Sequence, residues 1–345
     1  MSHSSVTNDA PLLEVRNLVK HFPIGRTWGD ALRRAAPRAI RAVDGISFSV
    51  DTGETLALVG ESGCGKTTTG RCVLFLQQPT SGEVIVKGDL VDPADDAAMR
   101  QRRKQLQIVF QDPNSSLNPR MTIGQTLGEA LVFHKMIESR QRELAVDELL
   151  ETVGLSGRQS GRYPNELSGG QRQRVGIARA LAVNPELIVA DEPVSALDVS
   201  VRAQILQLLE RLRDERGLAY LFISHDLGVV RHIADAVAVM YLGVIVERAP
   251  TAALYERPLH PYTRALLAAA PVPNPRLRRK RVPLLGDPPS PLAPPSGCRF
   301  RTRCPYAAER CASEVPSLRE LETGHWVACH FAEDLRSDIR LTSKV

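Results

Sequence analysis

Residues 60–67 constrain this chain more than any other stretch, because they read Gly-Glu-Ser-Gly-Cys-Gly-Lys-Thr and fit the pattern G-x-x-x-x-G-K-[ST]. The apolar run at 55–59 predicts a buried strand before them, and residues 68–74 can open a helix after them. In this setting the glycines let backbone N–H groups point inward and form an anion nest. The sequence therefore predicts a phosphate-binding loop, in which Lys66 reaches the β- and γ-phosphates of a nucleotide and Thr67 holds Mg²⁺.

Length and composition narrow the class of protein. A chain of 345 residues favours one large domain with a smaller addition. No apolar stretch approaches the roughly 20 residues of a membrane-spanning helix, and the polar residues 1–10 lack the apolar core of an export signal. The net charge of +5 is compatible with an anionic membrane surface and with nucleic acid, and it decides neither. Six cysteines in a chain without an export signal indicate thiols or metal ligands.

Strand and helix patterns alternate along most of the chain, which predicts a mainly parallel α/β sheet. Residues from about 121 to 163 have helical periodicity and interrupt that alternation as a helical insertion. Ligands bind such sheets at the C-terminal strand ends, where the phosphate loop, Asp191 and His225 fall. The predicted strands are 12–18, 42–50, 55–59, 84–86, 106–110, 187–190, 218–224, 237–241 and 244–247, the last two forming a hairpin.

Further short motifs follow the phosphate loop. Gln111 ends a predicted strand, and Leu-Ser-Gly-Gly-Gln occupies residues 167–171 ahead of an amphipathic helix. An apolar strand then delivers the pair Asp191-Glu192, and residues 195–198 read Ser-Ala-Leu-Asp. His225 ends the next apolar strand. Each motif alone is compatible with a helix cap, a solvated strand end or a structural histidine, but their combined order and spacing are highly specific.

This set resembles the ATP-binding subunit of an ABC transporter over about residues 12–270. Residues 60–67 match the Walker A motif, 167–171 the ABC signature and 187–191 Walker B. Gln111 matches the Q-loop, residues 195–198 the D-loop, and His225 the switch histidine.

The resemblance implies an α/β fold of the P-loop NTPase (RecA-like) type, an ABC cassette with an antiparallel β part and a helical insertion. A small C-terminal Cys-rich domain is expected in addition. The expected domains are a nucleotide-binding domain at 1–270, with a helical subdomain at about 112–180, a Pro-rich linker at 271–297 and a Cys-rich tail at 298–345.

The resemblance also assigns roles at the ATP site. Glu192 is expected to activate the attacking water, His225 to contact the γ-phosphate and Gln111 to sense Mg²⁺ and water, which makes these three the catalytic candidates. Thr67, Gln111 and Asp191 are the expected Mg²⁺ contacts. Phe22 either stacks on the base or simply packs. The expected ATP contacts are Phe22, Gly60, Glu61, Ser62, Gly63, Cys64, Gly65, Lys66, Thr67, Thr68, Gln111, Asp191 and His225.

A second nucleotide contact is expected at the signature motif. In the family this segment serves the ATP held by a partner subunit, so two cassettes close head to tail and hydrolysis separates them. The residues expected to contact the partner's ATP are Ser168, Gly169, Gly170, Gln171 and Asp198.

The residues after about 258 indicate one group within this family. Residues 258–263, followed by the Pro-rich segment and a Cys cluster, look like the dipeptide and oligopeptide importer ATPases, nearest the second of their two ATPase subunits. Related subunits serve nickel and glutathione importers, so the substrate stays open. The basic insertion at 23–41, which also looks like that group, is either a solvated loop or a contact with phospholipid or a membrane partner.

The partners implied are a second ABC ATPase subunit in a heterodimer, two transmembrane permease subunits and an extracytoplasmic substrate-binding protein. The implied location is peripheral, on the cytoplasmic face of the bacterial inner membrane. A less favoured alternative is a soluble ABC ATPase acting on nucleic acid. Such proteins usually carry two cassettes or large inserted domains, and this chain has one cassette, so no nucleic-acid partner is expected.

Four cysteines of the tail have the spacing Cys298-x₅-Cys304-x₆-Cys311-x₁₇-Cys329. Four thiolates can hold a [4Fe–4S] cluster or a tetrahedral Zn²⁺, and free thiols or disulfides are the third alternative. Structural zinc sites usually use tight C-x₂₋₄-C pairs, which are missing here, and the resemblance to peptide-importer ATPases favours the cluster.

Overall fold

The computed structural model describes residues 10–24, 38–112, 116–269 and 286–335. Most of the basic insertion at 23–41 and the first half of the Pro-rich linker lie outside these ranges. Among the described helices, none is long and apolar enough to cross a membrane.

Twelve strands occur in the described residues. In chain order they are β1 (Leu13–Pro23), β2 (Ala39–Val50), β3 (Thr55–Val59), β4 (Ser81–Val86), β5 (Asp89–Leu90), β6 (Leu106–Val109), β7 (Leu187–Asp191), β8 (Ala219–Ser224), β9 (Ala236–Tyr241), β10 (Val244–Pro250), β11 (Arg319–Glu322) and β12 (His325–Val327).

Ten α-helices occur in the same ranges. They are α1 (Lys66–Val73), α2 (Asp96–Gln105), α3 (Ile123–Phe133), α4 (Arg142–Thr152), α5 (Gly169–Leu181), α6 (Val199–Arg216), α7 (Leu227–Ile233), α8 (Thr251–Glu256), α9 (Pro261–Ala269) and α10 (Arg310–Ser313).

The main sheet has the order β11-β12-β10-β9-β3-β8-β7-β6, and its five strands from β9 to β6 are mutually parallel. This confirms the predicted parallel α/β sheet. Strands β3, β7 and β8 are wholly buried, because helices cover both faces of a parallel sheet and apolar residues are needed on both. Val59 lies opposite Ser224 and Asp191 opposite Ile223, so the residues after these three strands emerge at one edge.

The expected antiparallel part is a second sheet with the order β2-β1-β4-β5. It packs over α1 in a core that contains Leu13, Phe48, Leu58, Cys72 and Val84. This core places β2 beside the phosphate loop.

The helical insertion consists mainly of α3 and α4 with short 3₁₀ turns, and it leads into α5. Leu127, Leu131 and Leu150, which carry the helical periodicity, are buried as predicted. Leu144 is another apolar residue of the periodic stretch at 121–163, but it is 68% exposed and therefore lies outside this core.

The C-terminal residues do not form the separate small Cys-rich domain that the sequence suggested. Strand β12 pairs antiparallel with β10, with Val327 opposite Glu247, and β11 pairs with β12. Phe300 is buried in the main core. The physical reason is that β10 would otherwise be an open sheet edge, and β12 satisfies its backbone groups.

A buried polar contact anchors this added edge. Glu247 accepts backbone N–H groups from Leu259 at 2.7 Å and from His260 at 2.9 Å. Its carboxylate also lies 2.7 Å from Nε2 of His325, and both side chains are almost fully buried. The tail is thereby tied to the strand that carries it.

Candidate nucleotide-binding and hydrolysis site

A pocket opens at the sheet edge where β3, β7 and β8 end. Most of the predicted ATP-contacting and catalytic residues face it, together with three that were not predicted. It is lined by Ile40, Ala42, Ser62, Gly63, Gly65, Lys66, Thr67, Thr68, Gln111, Glu192, His225 and Pro291.

The phosphate loop has the backbone that its glycines were predicted to allow. Gly65 precedes α1 with a φ of 111°, and a Cβ there would lie 2.1 Å from the backbone oxygen of Ala42. Only glycine fits this close approach. The buried Lys66 donates from Nζ to the carbonyl oxygens of Gly60 at 2.9 Å and Glu61 at 3.0 Å. The ammonium group is thus held within the loop, where an anion would meet it together with the N-terminus of α1.

Two of the expected Mg²⁺ contacts meet directly, and the third, Gln111, points to another side chain of the same pocket. Oγ1 of Thr67 donates to Oδ1 of Asp191 at 2.8 Å. Burial raises the pKa of Asp191, and the hydrogen bond from Thr67 opposes that shift. A hydroxyl and a carboxylate are hard oxygen donors of the kind Mg²⁺ takes, and in phosphate sites it uses one or two carboxylates plus phosphates and waters. This pair fits the ion, whereas the Gln111 side chain is directed to Glu192.

Glu192 occupies the centre of the catalytic candidates. One carboxylate oxygen accepts from Nε2 of Gln111 at 3.0 Å, and the other lies 3.0 Å from Nδ1 of His225. The residue has a φ of 46°, a left-handed conformation that is costly for glutamate. The structure therefore brings together the three predicted catalytic residues, although they come from three separate segments.

Five of the residues predicted to contact the chain's own ATP do not line the pocket: Phe22, Gly60, Glu61, Cys64 and Asp191. Cys64 belongs to the phosphate loop but is only 5% exposed, and burial raises the pKa of its thiol. Phe22 on β1 is paired with Ile40, and Ile40 faces the pocket. Stacking of Phe22 on a base therefore stays a prediction.

The signature residues lie away from this pocket and form helix caps. Ser168 accepts the N–H of Gln171 at 3.3 Å, and Gln171 accepts the N–H of Ser168 at 3.0 Å, which is a capping box at α5. Asp198 caps α6 by accepting the N–H of Val201 at 3.0 Å, and this bond is the main cause that lowers the Asp198 pKa. None of the five predicted partner-contact residues lines the chain's own pocket.

Sequence reasoning missed the contribution of the C-terminal residues. Pro291 lines the pocket, and its carbonyl accepts the N–H of Arg41 at 3.2 Å. Arg303 donates two hydrogen bonds to Glu61 in the phosphate loop. The Pro-rich composition predicted a linker, and no local pattern indicated that these residues return to the ATP site.

The four tail cysteines line one small cavity, together with His260, Phe300 and neighbouring side chains. All are free thiols, and burial raises the pKa of Cys304 and Cys329 to about 11. Within the described ranges, no three ligating side chains are arranged to hold a metal ion. Because no such arrangement is found in the described residues, the geometry supports neither the [4Fe–4S] cluster nor zinc.

Two family profiles match the chain. The ABC transporter profile matches residues 43–195. The oligopeptide/dipeptide transporter C-terminal region matches residues 246–311.

Relatives match over nearly the whole length. A probable peptide ABC transporter ATP-binding protein of Sinorhizobium fredii is 54% identical, over 92% of this chain and 89% of that protein. The oligopeptide transport ATP-binding protein AppF of Bacillus subtilis is 50% identical, over 94% and 99%. The dipeptide transport ATP-binding protein DppF of Haemophilus influenzae is 48% identical, over 94% and 98%.

A solved structure supports the fold. A dimeric ATP-binding cassette in a post-hydrolysis state with ADP and phosphate is 30% identical, with a TM-score of 0.61 over 69% of this chain and 98% of that one. The family profiles, the relatives and the residues of the pocket all indicate an ATP-binding cassette. The chain belongs to the ATP-binding subunits of ABC transporters, in the group that carries the oligopeptide/dipeptide transporter C-terminal region.

Proposed function

We propose that this chain hydrolyses ATP to energise the import of dipeptides or oligopeptides through an ABC permease. ATP hydrolysis is supported above all by the position of the Glu192 carboxylate, which lies between Gln111 and His225. All three residues line the same pocket as Lys66. The C-terminal match at 246–311 and the names of the relatives support a peptide substrate.

The chemistry follows from where the charges lie. Lys66 and the N–H groups of the loop neutralise the β- and γ-phosphates. Thr67 and Asp191 would hold Mg²⁺, which, when bound, neutralises further phosphate charge. Glu192 accepts a proton from the attacking water, and His225 contacts the γ-phosphate, so charge is stabilised where it develops.

The signature motif supports a dimer. Ser168, Gly169 and Gly170 present a hydroxyl and N–H groups at the N-terminus of the 13-residue helix α5, away from the chain's own pocket. A second cassette would bring its own nucleotide to this point, and the related dimeric cassette supports such a pairing. We place this chain as the second ATPase type in a heterodimer with another ATPase subunit.

The remaining partners follow from membership of an importer family: two transmembrane permease subunits and an extracytoplasmic substrate-binding protein. The chain would lie peripherally on the cytoplasmic face of the inner membrane. The match to transporter ATPases over nearly the whole chain favours this assignment over a nucleic-acid ATPase.

The four thiols of the tail are assigned to a [4Fe–4S] cluster, with Zn²⁺ as the alternative. All four line one cavity, which supports a shared ligand. Cys298, Cys304, Cys311 and Cys329 would be the ligands of the cluster.

Uptake by the complete transporter tests the substrate. Proteoliposomes with the permeases, both ATPase subunits and the binding protein are given ATP inside and a labelled dipeptide, a longer peptide, nickel or glutathione outside. We expect ATP-dependent uptake of a peptide, which is lost when Glu192→Gln replaces the wild-type chain. Uptake of nickel or glutathione alone would contradict the peptide assignment while leaving the ATPase intact.

A further inference from the structure

Arg303, in the C-terminal tail, lies directly against the phosphate loop. Its two terminal nitrogens donate to the two carboxylate oxygens of Glu61 at 2.7 and 3.0 Å. The Arg303 side chain is only 4% exposed, and that of Glu61 is 25% exposed. Such a bidentate pair is strong and has a fixed geometry, so it sets where Glu61 lies.

Arg303 lies among packed aromatic side chains. The guanidinium lies 5.9 Å from the centre of the Tyr241 ring, and the rings of Tyr241, Tyr262 and Phe300 pack against one another. The hydroxyl of Tyr262 accepts the backbone N–H of Glu61 at 2.9 Å. Glu61 is therefore held at its backbone by α9 and at its carboxylate by the tail.

Glu61 in turn contacts the residue that meets the phosphates. Its carbonyl oxygen accepts from Nζ of Lys66 at 3.0 Å, and its neighbour Ser62 lines the pocket. Glu61 does not line the pocket itself, but it neighbours Ser62, which does, so its negative charge would repel a bound triphosphate if it were not neutralised. Arg303 is the buried cation that pairs with it.

We propose that Arg303 is a positioning residue of the ATP site, which keeps the phosphate loop in its binding conformation by neutralising the charge of Glu61. The C-terminal region then has a direct part in ATP affinity, independent of any metal that its cysteines hold and of which substrate is transported. The tail of one chain acts on the nucleotide of that same chain.

The test measures ATP affinity of the purified full-length chain with a fluorescent ATP analogue, and KM and kcat in the complete transporter. The variants are Arg303→Met, Glu61→Gln and the two combined. Arg319→Met is the matched control, because Arg319 pairs with Glu333 within the tail. We expect Arg303→Met to raise the Kd and KM about tenfold, or about 1.4 kcal/mol, with kcat within about twofold. The control should bind ATP as the wild type does.

The double variant separates a charge effect from loss of tail packing. Glu61→Gln removes the repelling carboxylate, so the double variant should recover most of the affinity that Arg303→Met loses. Circular dichroism melting of each variant shows whether it is folded at the assay temperature. The proposal is overturned if folded Arg303→Met binds ATP normally, if Arg319→Met weakens binding as much, or if the double variant stays as weak as Arg303→Met.

Discussion

Oε1 of Glu192 lies 3.0 Å from Nδ1 of His225, across the gap between the ends of β7 and β8. An ionised carboxylate only accepts hydrogen bonds, so Nδ1 of His225 is the donor in this pair whenever Glu192 is ionised. The second oxygen of Glu192 is engaged by Gln111 at 3.0 Å. Glu192 is therefore oriented by side chains from two other segments, and the three residues form one unit.

Replacing Glu192 tests its assignment as the group that activates water. Glu192→Gln keeps a polar side chain between Gln111 and His225 but cannot accept the proton. We expect ATP turnover to fall at least about 100-fold, with the affinity for ATP kept, because general-base catalysis contributes roughly 10² to 10⁴ in rate. A closed dimer with ATP should accumulate in size-exclusion chromatography. Glu215→Gln, an exposed carboxylate on α6, is the control, and wild-type turnover in Glu192→Gln would remove Glu192 from the mechanism.

Replacing Asp191 tests the Mg²⁺ contact. Asp191→Asn keeps the shape beside Thr67 but removes the charge that attracts the ion. We expect the Mg²⁺ concentration at half-maximal ATPase activity to rise about tenfold or more, because Mg²⁺ is bound mainly by carboxylate and phosphate oxygens. A magnesium titration of ATPase activity measures this. Asp214→Asn, exposed on α6, should leave the titration unchanged, and an unchanged titration in Asp191→Asn would show that Asp191 does not hold the ion.

His260 makes stability depend on pH. Burial lowers the pKa of His260 from 6.5 to about 4, although the negative charge of Glu247 acts in the opposite direction. Nδ1 of His260 accepts the N–H of Tyr262 at 3.1 Å, which only an unprotonated nitrogen can do. The folded state favours the neutral ring, so the contribution is present above pH 6.5 and is lost as the pH falls toward 4. We expect a loss of up to about 3 kcal/mol in the free energy of unfolding over this range.

Denaturant unfolding of the wild type and of His260→Asn at several pH values isolates this effect. Asparagine can accept the same N–H group through its oxygen and does not titrate. The difference in stability between the two proteins should shrink as the pH falls. A difference that is constant with pH would show that His260 does not carry the dependence.

Metal analysis of the purified protein tests the cluster proposed for the four thiols of the tail. The protein is purified anaerobically, and its visible absorption, iron and zinc are measured. We expect a broad brown absorption band with about four irons per chain, lost in Cys304→Ser. Cys72→Ala, a buried thiol on α1 away from the tail, should keep it. One zinc per chain, or no metal, would remove the cluster.

The motifs of the ATP site were predictable because their function requires particular residues in a short span. Gly65, for example, has a φ of 111° and lies so close to Ala42 that no larger residue fits there. The geometry of the loop can therefore be predicted from the glycines in the sequence. The continuous apolar runs of β3, β7 and β8 likewise predicted buried parallel strands.

The residues that the sequence could not place are those that act across long separations along the chain. Arg303 meets Glu61, and Pro291 meets Arg41, because the C-terminal residues fold back onto the main core, in which Phe300 is buried. No local sequence pattern around Pro291 in the linker or Arg303 in the tail predicts which distant residues they contact. The sequence by itself determined the phosphate loop, the candidate catalytic residues and the parallel core, since these depend on local backbone and burial. Only the tertiary structure decided that the tail contacts the ATP site, because Arg303 and Glu61 are 242 positions apart in the chain and meet only in the fold.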